Sequence, residues 1–152
     1  MVLYELMEEN KMADKISWKE CVEQNIITKT TPDEERSLQM LNMANLRLEF
    51  WDKKINDKFI ALKVEAYYDI IKELIFAHMY KNGFNCTNHL CLIAYLREKF
   101  EDFDFEIDKI DELRKLRNEI NYRGFSVKKD YLDRNELEFK SIINKLKDSL
   151  KK

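Results

Sequence analysis

The sequence predicts an all-α fold, an antiparallel bundle of four to five helices with a short N-terminal helical arm. Only two glycines and one proline occur among the 152 residues, so the chain has few residues that favour turns. Apolar residues recur at three- and four-residue spacing along most of the chain, as expected for amphipathic helices. No segment alternates cleanly with the two-residue period of a half-buried strand. We therefore expect a helical body large enough for its own hydrophobic core.

The predicted arm comprises residues 1–30, and the bundle comprises residues 31–152. Part of the arm has apolar residues at helical spacing and could dock on the bundle, namely Trp18, Cys21, Val22 and Ile26. Residues 31–34, Thr-Pro-Asp-Glu, are typical of a helix start, because Thr31 can cap, Pro32 suits the first turn and Glu34 follows the cap by three residues. The first helix of the bundle is thus predicted to begin near Pro32.

Five helices are predicted in the bundle, over about 32–54, 57–81, 87–100 and 106–122, and from about 133 onward. Asn82 and Gly83 end the second helix, because glycine is favoured just after a helix. Thr87 is the expected cap of the third helix. Gly124 marks the end of the fourth.

Composition excludes several classes of function. The formal net charge is −2, so bulk charge does not attract this chain to nucleic acid, and any phosphate binding has to come from a local patch. No apolar run approaches membrane-spanning length, so we expect no membrane partner. The three cysteines are odd in number, and we interpret them as reduced thiols of a cytoplasmic protein. We expect no cofactor, since no phosphate-binding glycine loop occurs.

The fourth predicted helix departs from ordinary amphipathic patterning. At about 100° per residue, its apolar arc is formed by Ile107, Ile110, Leu113, Leu116 and Ile120. Arg117 falls inside this arc, Asn121 lies nearly above it, and Arg114 lies near one margin. These three residues form a polar stripe on the side that should face another helix.

Two interpretations of this stripe remain open from the residues alone. A buried arginine needs a partner because an unpaired buried charge is very costly. Arg117 could form a structural ion pair with a carboxylate of a neighbouring helix. Alternatively, Arg114 and Arg117 could present guanidinium groups to phosphate, whose shape arginine matches well. Asn118 and Arg123 lie beside the stripe and could contribute to such a site.

The segment LRNEINYRG, residues 116–124, resembles the signature near the end of the fourth helix in HEPN domains. The upstream stretch VEAYYDIIKELIFAHMYKNGFNCTNHLCLIAYL is also similar to HEPN sequences. This resemblance implies a helical bundle that dimerises through the motif-bearing helix. It also implies a role in a prokaryotic toxin–antitoxin or stress-response system, with a nucleotidyltransferase protein as a possible partner. In HEPN proteins that cleave RNA, the motif is arginine, a polar residue, three variable residues and histidine.

Arg117 and Asn118 match the first two motif positions, but the histidine position falls on Tyr122. Cleavage by a ribose 2′-hydroxyl needs a base that accepts a proton near neutral pH, and histidine suits this role. An unperturbed tyrosine titrates near ~10 and is a poor base at neutral pH. We therefore expect a homodimer that binds RNA or a nucleotide without efficient ribonuclease activity. The expected binding residues are Arg114, Arg117, Asn118, Asn121, Tyr122 and Arg123.

Two alternatives to this function remain, a non-catalytic helical interaction or scaffold module and a weak metal-independent ribonuclease. Whether the chain is an enzyme therefore stays open. Metal binding is not expected: Cys86, His89 and Cys91 resemble half of a zinc site, but closed zinc sites usually contain paired short spacings. Buried free cysteines and a histidine at a helix start explain this segment more simply.

Overall fold

A computed structural model describes residues 16–152, and these residues confirm a mostly helical fold. Within them the elements are α1 (Trp18–Glu23), β1 (Ile27–Lys29), α2 (Glu34–Trp51), α3 (Ile60–Lys81), β2 (Phe84–Cys86), α4 (Leu92–Lys99), α5 (Asp104–Arg123) and α6 (Lys129–Ser149). Short 3₁₀ turns at Asp57–Phe59 and His89–Cys91 lead into α3 and α4. No helix among these residues combines the length and apolar character needed to cross a membrane.

Two helix caps differ from the predicted ones. Asp33, rather than Thr31, caps α2, because its side-chain Oδ1 accepts a hydrogen bond from the Arg36 backbone N–H at 2.9 Å. Asn88, rather than Thr87, caps the turn before α4, where its Oδ1 accepts from the Leu90 N–H at 2.9 Å. Asp, Asn and Thr all serve as caps, so the sequence marked the right segments but not the right residues.

Helix α3 is the centre of the molecule. Thirteen of its 22 residues are buried, because α2, α4, α5 and α6 all contact it. The core of α3 includes Tyr67, Ile70, Ile71 and Leu74, each at most 1% exposed. A helix that is apolar on most sides needs neighbours on most sides, and this explains why α3 lies between the others.

Helix α2 has a different environment, because it packs chiefly against α3. Only two of its 18 residues, Ser37 and Ala44, are buried. The Ser37 hydroxyl donates a 2.7 Å hydrogen bond to the Ala77 carbonyl oxygen, which fixes the two helices at close approach. The hairpin formed by α2 and α3 therefore leaves the outer face of α2 open.

A small two-stranded sheet joins the second half of the predicted arm to the bundle, although no segment of the sequence alternates cleanly with a two-residue period. β1 pairs antiparallel with β2, with Ile27 opposite Cys86 and Lys29 opposite Phe84. Strands of three residues are too short to produce a visible alternating pattern. The first fifteen residues of the predicted arm lie outside the described residues.

The cysteines also differ from the prediction of three reduced thiols. Cys21 of α1 and Cys91 before α4 form a disulfide across a sequence separation of 70 residues, whereas Cys86 is free. The odd count in the sequence contained no information on this pairing, because an odd count is compatible with one disulfide and one thiol. The disulfide and the sheet together attach residues 16–29 to the helical body.

Candidate functional site

The C-terminal half of α5 forms one wall of a cavity of about 90 Å³. Four predicted site residues line it, namely Arg114, Arg117, Asn118 and Tyr122. The opposite walls come from Tyr68 and Lys72 of α3 and from His89 and Leu90 of the turn before α4. The structure thus brings together most of the residues that the polar stripe indicated, and the cavity has room for a few water molecules or one phosphate-sized group.

Arg114 is the most deeply buried of the four predicted residues, at 5% exposure. Its Nε donates a hydrogen bond to Asp111 Oδ1 at 2.9 Å, and one terminal nitrogen lies 2.8 Å from the same oxygen. Burial by itself raises the pKa of the Asp111 carboxyl, but the charges and hydrogen bonds of Arg114 and Lys115 outweigh burial and hold that pKa below its usual value. Asp111 therefore stays ionised and balances the buried guanidinium.

Arg117 is more open, with 26% of its side chain exposed. Its guanidinium lies 3.9 Å from Asp69 Oδ1, at the outer limit of an ion pair. The Asn121 amide can be oriented so that both its oxygen and its nitrogen form hydrogen bonds. In this orientation the Asn121 oxygen accepts from two Arg117 nitrogens at 3.1 Å, and the Asn121 nitrogen donates to Glu65 at 2.8 Å. Asn121 thus orients Arg117 from the side, and neither Asn121 nor Arg123 lines the cavity.

Asp69 is incompletely satisfied in this arrangement. Its buried Oδ1 has no hydrogen-bond partner, although Lys72 lies 3.6 Å away and Arg117 3.9 Å away. Two cations therefore neutralise one carboxylate without either making a close hydrogen bond. Such contacts are weaker than the short pair at Arg114, because charge-assisted hydrogen bonds are normally below about 3 Å.

Tyr68 lies beneath the two arginines and is 5% exposed. The Arg117 guanidinium carbon lies 5.8 Å from the Tyr68 ring centroid, within the range of a cation–π contact. Burial raises the pKa of Tyr68 to about 12, although Arg114 and Arg117 act in the opposite direction. The phenol therefore stays protonated at neutral pH and can donate a hydrogen bond but cannot accept a proton.

Tyr122 and Phe125 lie at the open end of α5, and each is 51% exposed. The helix ends at Gly124, whose positive φ of 62° is a left-handed conformation that glycine adopts without strain. Exposed aromatic rings beside a cationic cavity are the arrangement on which an unpaired base can stack. Arg123, the last residue of α5, is exposed beside them.

Sequence reasoning missed Lys72 and His89 as members of this site. His89 was interpreted only as a residue of a helix start, and the structure places it in the same cavity as Arg117 and Asn118. Its ring also contacts Phe76, with centroids 5.6 Å apart. Lys72 follows Tyr68 by one helical turn, so the α3 periodicity could have placed it on the same face.

A larger cavity of about 450 Å³ lies elsewhere, where the end of α2, the start of α3 and the start of α6 meet. It contains none of the predicted site residues. Its buried Lys63 pairs with Glu136 at 2.9 Å, and Tyr67 donates to the same carboxylate at 2.6 Å. These internal pairs explain the buried charges there as parts of the fold, so size alone does not identify the functional site.

Neither protein-family models, curated proteins nor solved structures gave a match to this chain. Function is therefore inferred from the geometry of the cavity and from the sequence motif.

Proposed function

We propose that this chain is a HEPN-like homodimer that binds RNA or a nucleotide through the α5 cavity, in a toxin–antitoxin or stress-response system. The observation that carries the proposal is the convergence of Arg117, Asn118 and Tyr122 with Lys72 and His89 around one small cavity. Arg117 is held loosely enough to exchange its carboxylate for a phosphate oxygen. A nucleotidyltransferase protein is the proposed partner, on the strength of the sequence resemblance.

The chemistry of binding follows from the different settings of the two arginines. Arg114 is committed to Asp111 and supports the wall of the cavity. Arg117 and Lys72 share the incompletely satisfied Asp69, so an entering phosphate can draw both cations toward itself. The cavity fits a phosphate rather than a base, and the base would lie outside against Tyr122.

The test is binding of a short single-stranded RNA and of ATP, measured by fluorescence anisotropy and calorimetry at low and moderate salt. Phosphate contacts predict affinity that falls steeply with salt and is lost in Arg117→Ala. Arg134→Ala is the matched control, since Arg134 is exposed on α6 and outside the cavity. Absence of binding to either probe at low salt, or equal losses in the two variants, would overturn the proposal.

A second function is favoured by the position of His89. The motif histidine is absent, yet an imidazole lines the cavity that contains the motif arginine. In RNA cleavage, an imidazole nitrogen would take the proton of the ribose 2′-hydroxyl while O2′ bonds to phosphorus, the bond to O5′ breaks and O5′ takes a proton from water. His89 would then replace the missing histidine in a weak, metal-independent ribonuclease. The expected products are a 2′,3′-cyclic phosphate and a free 5′-hydroxyl.

Cleavage is tested with a mixed RNA pool in excess chelator. Activity that disappears in both His89→Ala and Arg117→Ala but persists in His78→Gln supports this second function. His78 is the matched histidine, because it points to Tyr95 on another side of α3. No cleavage by the purified wild type leaves binding as the function of the site.

The ion pairs favour a third candidate, a non-catalytic interaction or scaffold module. In it, Arg117 serves only to pair with Asp69 and Asn121, as the structure allows. This candidate predicts that Arg117→Ala lowers stability or weakens the dimer while both ligand tests stay negative.

A further inference from the structure

The outer face of α2 has a stripe of exposed apolar side chains. Met43, Leu46 and Phe50 are 45%, 59% and 60% exposed. At 100° per residue, all three lie on the side of the helix opposite Ser37 and Ala44, which are the residues buried against α3. We call these three side chains the α2 stripe.

The spacing of the α2 stripe distinguishes it from scattered surface hydrophobes. Its residues are separated by three and then four positions, the repeat with which one helix packs along another. Leu137 of α6 is even more exposed, at 81%, but the positions three and four residues from it are Asp133, Arg134, Lys140 and Ser141. A single exposed leucine is ordinary, whereas a contiguous apolar row marks an interaction surface.

We propose that the α2 stripe is the surface through which two copies of this chain associate, with the two α2 helices antiparallel about a two-fold axis between positions 44 and 45. In this register Met43 meets the partner's Leu46, and Gln39 meets the partner's Phe50. Each copy offers the same patch, as a two-fold dimer requires. The inference assigns the homodimer of the proposed function to α2 instead of the motif-bearing helix that the HEPN resemblance implies, and it rests on the homodimer alone.

Charge complementarity selects a second copy of the chain in this orientation. The start of α2 is acidic, with Asp33, Glu34 and Glu35, and its end is followed by Lys53 and Lys54. An antiparallel pair brings the acidic start of one α2 toward the lysines that follow the end of the partner's α2, at both ends of the seam, whereas a parallel pair brings like charges together. Neither Glu35 nor Lys54 has an ion pair with any described residue, so both are available for this contact.

The motif-bearing helix α5 offers no comparable surface. Its large exposed apolar side chains, Phe105 and Tyr122, lie at opposite ends of the helix. Specific interfaces bury about 800 Å² per partner, which three side chains do not supply. The polar neighbours Gln39 and Asn42 therefore belong to the proposed interface as well.

The first experiment is sedimentation equilibrium of the full chain over a wide concentration range. Wild type is expected to dimerise, and Leu46→Glu is expected to raise the dimer dissociation constant by about tenfold or more, because it places a charge in an apolar seam. Leu137→Glu is the matched control and is expected to leave the constant unchanged. Circular dichroism checks that both variants are folded, which exposure of the two leucines predicts.

The second experiment tests the register by charge reversal. Glu35→Lys and Lys54→Glu are each expected to weaken the dimer, and the double variant is expected to restore it, because both pairs then form with reversed sign. A monomeric wild type overturns the homodimer and this surface together. A dimer that Leu46→Glu leaves intact overturns the surface alone, and the occupant of the stripe is then the first fifteen residues or another protein.

These outcomes are separate from those of the ligand test. Leu46 lies outside the α5 cavity, so failure of Arg117→Ala to affect RNA binding bears on the site and not on the seam.

A charge-reversed double variant that stays as weak as the single variants overturns the antiparallel register.

Discussion

Helices α2 and α5 depart from amphipathic patterning in opposite directions. α5 places charged and polar side chains where a helix normally packs, and α2 leaves Met43, Leu46 and Phe50 where a helix normally meets water. Within the described residues, the buried charge of Arg114 is balanced by Asp111 of the same helix. The exposed apolar row of α2 lies on the side of the helix away from Ser37 and Ala44, the two residues buried against α3.

This difference shows that a buried charge and an exposed hydrophobe carry different information. A buried charge has to be satisfied inside the fold, because leaving it unpaired costs several kcal/mol. An exposed apolar row costs the monomer little free energy beyond the hydrophobic stabilisation that burial would have given, so the monomer can fold with the row exposed. The α5 anomaly is therefore resolved partly within the chain, whereas for the α2 stripe we propose a second copy of the chain.

The largest effect is expected from removal of the disulfide. The Cys21–Cys91 bond is adjacent to the turn that supplies His89 and Leu90 to the α5 cavity, and it has no part in α2. For a loop of this size, the chain-entropy account gives about 4 kcal/mol of stabilisation. The double variant Cys21→Ala/Cys91→Ala should lose about that free energy of unfolding in a urea titration and should bind RNA more weakly.

Cys86→Ala is the matched control, because Cys86 is the free cysteine. It should leave the urea midpoint within experimental error of wild type. Below the unfolding transition, the double variant should keep the dimer dissociation constant of wild type. A loss of self-association in the folded double variant would contradict the separation between the α2 stripe and the α5 cavity.

A smaller effect is expected from Arg114→Met. This change removes the buried guanidinium but keeps much of its apolar volume, so the main loss is the charge partner of Asp111. Breaking a buried ion pair costs about 3 kcal/mol or more, and Lys115 at 3.4 Å from Asp111 keeps the cost near the lower value. The free energy of unfolding from urea titration measures it.

Arg117→Met is the companion variant, and it should cost less than about 1 kcal/mol, because its ion pair is long and a quarter of the side chain is exposed. The effect on RNA affinity should have the opposite order to the effect on stability. Arg117→Met should lose more affinity than its small change in stability explains. Equal destabilisation by the two variants would show that Arg117 is as fixed as Arg114, and the scaffold interpretation would then be preferred.

The sequence was sufficient to predict the helices and half of the residues that line the α5 cavity. Arg117 was found because a helical wheel exposes any charge inside an apolar arc, and five apolar residues were enough to define that arc. Asn118 was included because it lies beside the stripe and matches the second position of the HEPN motif. Arg114 was placed at the margin of that arc, and the structure buries it. Arg123 was included from its position after the stripe, and it lies beyond the cavity because α5 ends there.

The remaining features depend on contacts between distant parts of the chain. β1 and β2 are 57 positions apart at Ile27 and Phe84, and each is only three residues long, so neither has a periodic signal. Cys21 and Cys91 meet because α1 packs against α4. His89 lies at the site against α3, where its ring contacts Phe76, and no local pattern distinguishes it from an ordinary residue at a helix start.

A pH-dependent effect is expected at His78, whose half-buried imidazole contacts the Tyr95 hydroxyl rather than a carboxylate. Burial, together with the nearby charges of Lys81 and Lys99, lowers the pKa of His78 to about 4. The unfolded chain takes up this proton near pH 6.5. Stability from this group is thus present above pH 6.5 and is lost as the pH falls toward 4, by about 2 kcal/mol after allowance for partial exposure. The free energy of unfolding at several pH values measures the slope.

His78→Gln should flatten the difference between pH 4 and 6.5, because glutamine has no proton to gain. Tyr95→Phe separates burial from hydrogen bonding, since the Tyr95 hydroxyl lies 2.6 Å from His78 Nδ1. Burial is the largest cause of the lowered pKa, so the phenylalanine variant should lose stability at every pH and keep the slope. A slope that disappears in Tyr95→Phe would show that the hydrogen bond holds His78 neutral. Hydrogen bonds would then accommodate both groups, the Arg114 guanidinium through Asp111 and the His78 imidazole through Tyr95.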